Sequence, residues 1–366
     1  MSNTEQATEQ TGIGRPPGGS ARGAKQFPSW ESRKYNYFEP KKRHASLYEN
    51  VTVDVLPDMD RHLLQGWIIG FADGMEAYDK RRTAVQCSDW HVYRAPDGEW
   101  ERNHFQRQAA VETMIGQVVN HGRAAKAAEN FDKRWLPILE KHLGALAECE
   151  FGLHYATMSG QRDGVTQMIN NSILTHSSQK IRLAQDLVLY LAEIGLDVEI
   201  DTSLGKTTWL EDPIWQETRK LVEHIMAGPD YLEQYFAINF VCEPIVTESI
   251  RSGFFMQLAA CHSDFMTPVV LSAAENDYDR NLENAIEMFG MISRDEKYAD
   301  ENKKVFDQWL NKYVPMAVSA MEQLQPLWSQ PRVKHVSYVE VYEAAKHRLT
   351  VALSEAGISL PDEIQL

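Results

Sequence analysis

Four carboxyl or amide side chains lie in stretches that otherwise have the apolar pattern of buried helices: Glu150, Gln179, Glu243 and Glu275. The intervals between them are 29, 64 and 32 residues. Two antiparallel helix pairs joined by a longer connection would bring all four to one level of a bundle. Carboxylates that meet in this way can bind a pair of metal ions. The spacing therefore indicates a helical bundle of the class that builds such centres.

The residues beside these carboxylates do not suit a metal centre. Two of the four helices should each supply a Glu and, three residues later on the same face, a His. The corresponding pairs are Gln179-x-x-Arg182 and Glu275-x-x-Tyr278. Arg182 offers only hydrogen-bond donors, and Tyr278 is a poor substitute for imidazole. We therefore predict a vestigial site without metal, formed by Glu150, Gln179, Arg182, Glu243, Glu275 and Tyr278.

A buried carboxylate needs a cation, or it becomes protonated. Arg182 is the candidate cation, since a guanidinium can bind a carboxylate through two parallel hydrogen bonds. We predict that it pairs with Glu150, Glu243 or Glu275, so that an ion pair fills the centre. The alternative is that these residues are unrelated charges on the solvent faces of amphipathic helices.

Other candidate motifs are better explained by structure than by chemistry. The literal Glu-x-x-His motif, Glu101 to His104, follows a polar turn, and helix capping or a surface role is the favoured interpretation. His154 is interpreted as a hydrogen-bonded core histidine, and His262 and Asp264 as part of a helix end. The sequence has no glycine-rich phosphate loop and no G-x-S-x-G motif.

Composition limits the class of protein. The 366 residues are 43% hydrophobic, which is enough for a substantial core. A net charge of −15 argues against nucleic acid or an anionic membrane as the main partner. The four cysteines form no C-x-x-C pair, so we expect reduced thiols and neither a zinc knuckle nor a disulfide framework. No apolar stretch approaches the roughly 18 residues of a membrane span, and the polar N-terminus resembles no signal peptide. We expect a cytoplasmic protein.

The N-terminal region divides into two parts. Residues 1–26 are rich in Gly, Ser, Pro and Thr and are predicted to be disordered. Residues 27–57 are predicted to form an extended arm, because they are aromatic but lack helical periodicity. Seven Lys or Arg residues lie between positions 22 and 43, against two Glu. We expect the arm to lie on this chain's own body or on a partner subunit, and the alternative is a solvated tail. The predicted partner contacts are Trp30, Tyr35, Tyr37, Phe38, Lys41, Arg43 and Tyr48, with Trp67 and Phe71 on the next helix.

Residues 58–366 are predicted to form a single helical domain. A first helix is expected from Asp58 to about Arg82. Residues 89–112 are expected to contain a short hairpin, in which WHVYR alternates, a Pro-Asp-Gly turn comes after it, and a second strand or the start of a helix comes next.

Helical periodicity dominates from about residue 104 onward. Breaks are expected near Asn130, Gly160 and Thr175 and then at 195–206, 228–229, 263–267, 294–299 and 325–334. A long buried helix is expected between Pro229 and about Cys261. Pro244 should kink or widen this helix about one turn upstream, because proline lacks the amide donor.

Two stretches support a resemblance: YFEPKKRHASLYENVTVDVLPD (37–58) and DWHVYRAPDGEWERNHFQRQAAVE (89–112). Together with the altered bundle, they resemble the hydroxylase small (beta) subunits of bacterial multicomponent monooxygenases. These are soluble di-iron enzymes that act on methane, propane, phenol, toluene and alkenes. The resemblance extends from about residue 27 to about residue 356 and is closest to the propane-oxidising members.

The resemblance implies an all-α, ferritin-like (ribonucleotide-reductase-like) bundle that is a degenerate copy of a catalytic large (alpha) subunit. The di-iron centre would lie in that larger subunit, in an α2β2-type assembly. A reductase with FAD and an iron-sulfur cluster would supply electrons from NADH, and a coupling protein would regulate the oxygen chemistry. The N-terminal arm would reach over neighbouring subunits.

The expected role of this chain is thus that of a non-catalytic subunit, with no catalytic, cofactor-binding or metal-binding residue of its own. The expected reaction, in the partner, is the NADH- and O2-dependent hydroxylation of propane to 2-propanol. Phenol, acetone and other small ketones or alkanes remain alternative substrates. Two other functions also remain open: a stand-alone, divergent ferritin-like oxidase, and a helical adaptor protein.

Overall fold

The computed structural model describes residues 38–42, 44–53, 75 and 79–366. In this part of the chain the regular structure is helical, and no strand occurs. The predicted disordered tail, most of the predicted arm and most of the predicted helix from Asp58 lie outside the described residues. None of the described helices is both long enough and apolar enough to cross a membrane.

Within the described residues, ten helical elements carry the fold, with a further single turn at Leu136–Ile138, and several of them are linked by 3-10 turns. They are α1 (Leu47–Thr52), α2 (Glu101–Ala124), α3 (Gly144–Asp163), α4 (Gln167–Ile194), α5 (Leu204–Glu211), α6 (Gln216–Met226), α7 (beginning with Tyr231–Phe236), α8 (Met266–Ser293), α9 (Ala299–Leu324) and α10 (Tyr338–Glu355). A π-helical turn, Leu139–Leu143, precedes α3. The 3-10 turns are Lys80–Arg82, Trp90–Val92, Ala127–Asn130, Pro213–Trp215, Ala259–His262 and Gln325–Ser329.

Helix α7 is irregular along most of its length. After Tyr231–Phe236 it widens into π-helical turns over Ala237–Thr247, narrows at Glu248–Ile250 and widens again over Arg251–Met256. Pro244 lies inside the first wide segment. The prediction of a buried helix widened near this proline is confirmed.

Helices α3, α4, α7 and α8 form the centre of the molecule. α3 and α4 are joined by a short loop and pack against each other along most of their length, while α7 and α8 pack beside them. α2 lies against α4 and α8, and α9 and α10 cover the widened part of α7 from the other side. The four helices that carry the predicted carboxylate and amide positions are therefore neighbours.

An aromatic cluster fixes α7 against α8 and α9. Phe236 and Phe240 meet Phe289, Phe306 and Trp309, with ring centroids 5.0 to 6.0 Å apart. All five side chains are buried. Aromatic pairs at these separations stabilise a core beyond the area that they bury.

Side-chain caps explain where several of these helices begin. Thr166 accepts a hydrogen bond from the Ile169 amide at the start of α4. Asp230 accepts from the amides of Leu232 and Glu233 at the start of α7. Such caps satisfy amides that have no partner within the helix.

Asp264 caps α8, as the sequence predicts. Its Oδ1 accepts hydrogen bonds from the amides of Met266 and Thr267, at 3.0 and 2.9 Å. His262, whose Nδ1 lies 2.8 Å from the Leu258 carbonyl oxygen, ends the preceding 3-10 turn and stacks on Trp135. The interpretation of this pair as part of a helix end is confirmed.

The predicted strands of residues 89–112 are wrong. Trp90–Val92 is a 3-10 turn, the Gly98 amide closes a turn onto the Ala95 carbonyl, and α2 begins at Glu101. The burial does not follow the alternation in WHVYR, because Trp90 and Tyr93, three residues apart, are buried while Val92 is exposed. The predicted turn is confirmed, and it leads into the start of a helix, which was the alternative to a second strand.

One predicted helix break is wrong, and the break predicted near Gly160 falls about four residues later, at Gly164. Helix α4 continues through Thr175, whose hydroxyl donates to the Ser172 carbonyl and so is satisfied within the helix. Helix α3 continues through Gly160 to Asp163. A Cβ atom at Gly160 would lie 2.8 Å from the Ile173 side chain, so this glycine permits close packing rather than a turn.

Part of the arm covers the chain's own body. Phe38 and Tyr48 are buried, the Tyr48 hydroxyl accepts a hydrogen bond from the Ala95 amide, and the Phe38 ring lies 5.7 Å from the Arg94 guanidinium. Their assignment as partner contacts is therefore wrong. Lys41 is exposed and pairs with Glu287 at 3.2 Å.

The remaining predicted contacts, Trp30, Tyr35, Tyr37, Arg43, Trp67 and Phe71, lie outside the described residues.

Two glycines allow α3 and α5 to cross at backbone contact. A Cβ atom on Gly205 would lie 2.6 Å from the Gly144 Cα atom, where only a backbone shift could relieve the clash. We expect Gly205→Ala to lower the free energy of unfolding by about 1–3 kcal/mol, measured by urea denaturation.

Gly116→Ala on α2 is the matched control, because nothing lies within 4 Å of an added Cβ there. It should raise stability by up to about 1 kcal/mol, since alanine is the better helix former. Equal stability of the two variants would contradict the close crossing.

Candidate functional site

The guanidinium of Arg251 lies at the centre of a buried charge cluster. Its Nη1 donates to Oε1 of Glu150 on α3, and its Nη2 donates to Oε2 of Glu243 on α7, both at 2.8 Å. Only 1% of the Arg251 side chain is exposed. One guanidinium therefore joins carboxylates from two helices away from water.

Lys180 of α4 is the second cation of this cluster. Its Nζ lies 2.9 Å from Oε2 of Glu150 and also forms an ion pair with Glu243. The Thr247 hydroxyl donates to Glu243 at 2.9 Å. Glu150 and Glu243 are thus each shared by two cations, which compensates the cost of burying their charges.

Two further carboxylates complete the cluster. Glu248 lies 3.2 Å from Nη2 of Arg251, and Glu275 of α8 lies 3.5 Å from its Nε. The Tyr278 ring centroid is 5.9 Å from the guanidinium carbon. The central cluster is defined by Glu150, Lys180, Glu243, Glu248, Arg251, Glu275 and Tyr278. It joins all four central helices.

The wide π-helical turns of α7 place Glu243, Glu248 and Arg251 of the central cluster on one side of the helix. In a π-helix, residues five apart lie one turn apart, so Glu243 and Glu248 both reach Arg251. Pro244 has no amide to donate, which favours the wider turn. Arg348 of α10 donates to the Pro244 carbonyl at 2.9 Å and to the Ser249 hydroxyl at 3.0 Å, so the irregular backbone is held from outside.

Four carboxylates in the cluster face two cations, so their protonation states differ. Burial opposes ionisation of Glu150, but Lys180 and Arg251 outweigh it and hold the pKa of Glu150 below its usual value. Burial raises the pKa of Glu275 to about 8, and Glu248 adds to the shift although Arg251 opposes it. At neutral pH the Glu275 carboxyl therefore retains its proton, which reduces the excess negative charge.

The cations are affected in opposite directions. Burial lowers the pKa of Lys180, and Glu150 partly offsets this effect. Burial also opposes the charge of Arg251, but the surrounding carboxylates outweigh it and raise the pKa of Arg251 further. The guanidinium is therefore the permanent charge of the cluster.

The donor set of this cluster does not fit a metal centre. A guanidinium and an ammonium occupy the space between Glu150 and Glu243, and both offer only donors. The nearby His176 is fully buried, and among the described residues neither of its nitrogens has a hydrogen-bond partner. Burial lowers the pKa of His176, and Lys180 and Arg251 lower it further, so its imidazole is neutral. That this chain binds no metal stays a prediction.

Arg182 does not belong to the central cluster, and its predicted pairing is wrong. It forms ion pairs with Asp186 and, at 2.7 Å, with Asp277 of α8. Successive residues of an α-helix are rotated by about 100°, so Arg182 points well away from Lys180, two residues earlier. The prediction of an ion pair at the centre is confirmed, but with Arg251 and Lys180 as the cations.

A neighbouring polar cluster surrounds Arg182. Arg107 of α2 bonds Asp277 and Glu99, each at 2.6 Å. Gln179 donates to Glu99 at 3.4 Å. Of the six predicted vestigial positions, the structure therefore brings Glu150, Glu243, Glu275 and Tyr278 together, and it places Gln179 and Arg182 in this second cluster.

The two predicted histidine interpretations have different outcomes. His154 is hydrogen-bonded as predicted, with Nδ1 3.0 Å from the Ser177 carbonyl oxygen and 2.9 Å from its hydroxyl. His104 is buried rather than on the surface, and its Nδ1 lies 3.5 Å from a Glu99 carboxylate oxygen. The motif as a whole lies at the start of α2, where the Asn103 side chain accepts a hydrogen bond from the Trp100 amide at 2.6 Å, so the helix-capping interpretation is confirmed. A surface role for His104 itself is wrong, because its side chain is buried beside Glu99.

Sequence reasoning missed Lys180 and Arg251. Lys180 follows Gln179 directly in the sequence. A helical-wheel projection of α4 would have placed the Lys180 side chain on the side of the helix that faces the centre of the bundle. Arg251 lies eight residues after Glu243, which an ordinary α-helix would rotate away by about 80°. Only the wide turns of α7 bring the two together.

Comparison with known proteins gives consistent matches. The sequence profile of the family described as Methane/Phenol/Alkene Hydroxylase matches residues 67–296. The chain is 40% identical to the propane 2-monooxygenase hydroxylase component small subunit of Gordonia sp. (strain TY-5), over 93% of each chain. It is 24% identical to the methane monooxygenase component A beta chain of Methylosinus trichosporium, over 91% of this chain and 86% of that one.

Solved structures also match. A chain of phenol hydroxylase from Pseudomonas sp. OX1 superposes with a TM-score of 0.74 at 15% identity, over 94% of this chain and 98% of that one. A chain of toluene 4-monooxygenase superposes with a TM-score of 0.68 at 19% identity, over 78% and 94%. These matches confirm the predicted all-α, ferritin-like bundle.

Removing the central guanidinium should destabilise the fold. Arg251→Met leaves Glu150 and Glu243 with only Lys180 as a buried cation, and we expect a loss of about 3–5 kcal/mol in the free energy of unfolding. Arg219→Met is the control, because Arg219 pairs with Glu223 on the surface of α6 and should contribute less than about 1 kcal/mol. Equal losses in guanidinium chloride denaturation would contradict the central role of Arg251.

Stability should fall as the pH rises from 4.5, the ordinary pKa of Glu275, to about 8, its pKa in the fold. In this interval the folded chain keeps a proton that the unfolded chain has lost, which gives a slope of up to about −1.4 kcal/mol per pH unit from this group. Glu275→Gln cannot titrate, so its stability curve should be flatter than that of the wild type. Parallel curves would disprove the raised pKa.

Proposed function

Because the chain belongs to the methane/phenol/alkene hydroxylase family, we propose that it is the small (beta), non-catalytic subunit of the hydroxylase component of a multicomponent di-iron monooxygenase. The observation that carries this proposal is the position of Arg251 and Lys180 between Glu150 and Glu243. Side-chain cations occupy the place that a metal centre would need.

The chemistry of the central cluster supports a structural role. Oxygen activation requires a centre that binds O2 and exchanges electrons. Guanidinium and ammonium groups do neither, since they are closed-shell donors of hydrogen bonds. The cluster instead joins α3, α4, α7 and α8 through buried ion pairs. These ion pairs make the helical bundle rigid, so that it can support a neighbouring subunit without deforming.

The proposed reaction takes place in the larger subunit. That subunit would hold the di-iron centre and hydroxylate propane to 2-propanol, using O2 and electrons from NADH. A reductase with FAD and an iron-sulfur cluster would deliver the electrons, and a coupling protein would regulate the reaction. We propose an α2β2-type assembly in the cytoplasm.

Propane is the favoured substrate because the chain is more similar to the small subunit of a propane monooxygenase than to subunits of methane or phenol monooxygenases. Identity is 40% to a small subunit named for propane 2-monooxygenase and 24% to a methane monooxygenase beta chain. It is 22% to a phenol 2-monooxygenase oxygenase component of Pseudomonas sp. (strain CF600). Propane hydroxylation by the assembled component is therefore the first activity to measure.

The arm remains a candidate for contact with the larger subunit. Among the described residues only Lys41 of the predicted set is exposed. We propose that Trp30, Tyr35, Tyr37, Lys41, Arg43, Trp67 and Phe71 contribute to the interface.

Substitutions at the positions that correspond to metal ligands should leave turnover nearly unchanged. We expect an assembled hydroxylase whose small subunit carries Glu275→Gln and Tyr278→Phe to oxidise propane within about twofold of the wild-type rate. Loss of a group that stabilises a transition state typically costs about 100-fold or more in kcat. A loss of that size, with intact assembly, would contradict a non-catalytic role.

Metal analysis gives an independent test. The separately purified full chain should contain far less than one iron per molecule, and the iron of the assembled hydroxylase should follow the amount of larger subunit. Stoichiometric iron in the isolated chain would favour a stand-alone oxidase instead.

A further inference from the structure

The outer side of α3 carries an apolar stripe. Phe151, Tyr155 and Met158 are 42 to 53% exposed. Residues three and four positions apart lie on the same side of an α-helix, so these three form one row. The rings of Phe151 and Tyr155 contact each other edge to face, with centroids 5.3 Å apart.

The outer side of α4 carries a matching stripe. Leu174 is 42% exposed, and Ser178, Ile181 and Gln185 follow it at helical spacing on the accessible side. None of these four positions is charged.

The two stripes lie side by side. His154 of α3 is hydrogen-bonded to Ser177 of α4, which sets the register of the antiparallel pair. In an antiparallel pair with this register, Met158 comes to the level of Leu174, and Phe151 comes to the level of Ile181, about one turn to either side of His154. We name the surface formed by Phe151, Tyr155, Met158, Leu174 and Ile181 the α3/α4 face.

The face continues onto α6 across a glycine. A Cβ atom on Gly152 would lie 2.5 Å from the Val222 side chain and 3.6 Å from the sulfur of Met226. Met226 is itself partly exposed. The close approach at Gly152 therefore brings a second methionine to the edge of the α3/α4 face.

The composition of this face is that of a protein interface. Aromatic residues and Met are enriched in the buried centres of interfaces, and charged residues are depleted there. Contiguous apolar surface of this kind is a mark of protein contact in soluble chains. An exposed Leu alone would need no explanation, but two rows in register do.

We infer that the α3/α4 face docks onto an apolar helical surface of the larger subunit of the same hydroxylase component. This inference rests on the proposed function, since relatives of the chain are named small subunits and beta chains. A small subunit of a component implies a larger one, and that larger chain is the partner to which the proposal commits.

The size of the face favours a different partner over a second copy of this chain. Leu174 to Gln185 spans about 17 Å of helix at 1.5 Å per residue, and the two helices together are about 20 Å wide. The face thus covers about 350 Å², so two copies would bury about 700 Å² in total, less than the about 1,200 Å² of the smallest stable interfaces. A larger subunit can extend beyond the face and also contact the arm.

The central cluster fixes the two helices that carry the α3/α4 face, because Glu150 of α3 pairs with Lys180 of α4. Phe151 follows Glu150, and Ile181 follows Lys180. Successive residues of an α-helix are rotated by about 100°, so in each pair one side chain lies on the accessible side and the other reaches the ion pairs. Because the backbone of both helices is fixed by this cluster, little ordering is needed when the face binds.

Charged substitutions on the face test the inference. We would co-express the full chain with its larger subunit and measure the affinity of the complex by sedimentation. Tyr155→Arg and Leu174→Arg should each weaken assembly by at least tenfold, because a charge would be buried against an apolar surface. Val339→Arg on α10 is the matched control, since Val339 is 64% exposed outside the face, and it should change the affinity by less than twofold.

Fold integrity is checked on the isolated variants. All three replaced side chains are exposed, so their melting temperatures should equal that of the wild type. If a charged variant melts earlier, Tyr155→Ala and Leu174→Ala replace it, with an expected loss of about fivefold in affinity.

Three outcomes would overturn the inference, and they have different meanings. If the wild-type complex forms and the face variants bind as tightly as Val339→Arg, the face is not the interface, while the proposed function stands. If the chain dimerises, and the face variants abolish dimerisation without affecting the larger subunit, the occupant is a second copy. If the wild-type chain binds no larger subunit at all, the proposed function fails as well.

Discussion

The close approach of the four central helices depends on one shared buried guanidinium. Carboxylates from different helices can meet in a dry interior as charged groups only when a cation lies among them, and otherwise they take up protons. Arg251 meets this requirement by bonding Glu150 on α3 and Glu243 on α7 at the same time, with Glu275 of α8 nearby. Lys180 brings α4 into the same network. The packing of the bundle is thus a consequence of charge balance as much as of apolar burial.

Side-chain cations and metal ions solve the same electrostatic problem. Either can compensate inward-facing carboxylates, and either can join several helices at one point. They differ in chemistry, because a metal ion can bind and activate a substrate whereas a guanidinium can only donate hydrogen bonds. A helical bundle can therefore keep its architecture while its centre changes from a reactive metal site to a set of ion pairs that only holds the helices together. The pairing of Glu150 and Glu243 with Arg251 is the form that this takes here.

Much of the fold could be predicted from periodicity, because long helices repeat their apolar pattern many times. The convergence of Glu150 and Glu243 is likewise predictable from sequence spacing alone. The wrong pairing of Arg182 has a simple cause: the sequence shows which charges are present, whereas their directions depend on the exact rotation of each helix. Arg251 was missed because no periodicity argument anticipates successive wide turns. Thr175 shows the opposite error, since its polarity suggests a break that a local hydrogen bond removes.

The wide turns of α7 make the length of this segment more important than its composition. A π-helical turn behaves as one extra residue inserted into an α-helix. At its present length, ordinary α-helical winding would place Arg251 about 80° away from Glu243. Loss of one residue between them would leave the two seven positions apart, and ordinary winding would then keep them within about 20° of each other. In evolution, a relative that lacks one residue here should therefore keep the buried pair on a regular α-helix, so that a gap in this stretch would mark a lineage whose α7 has lost its wide turns.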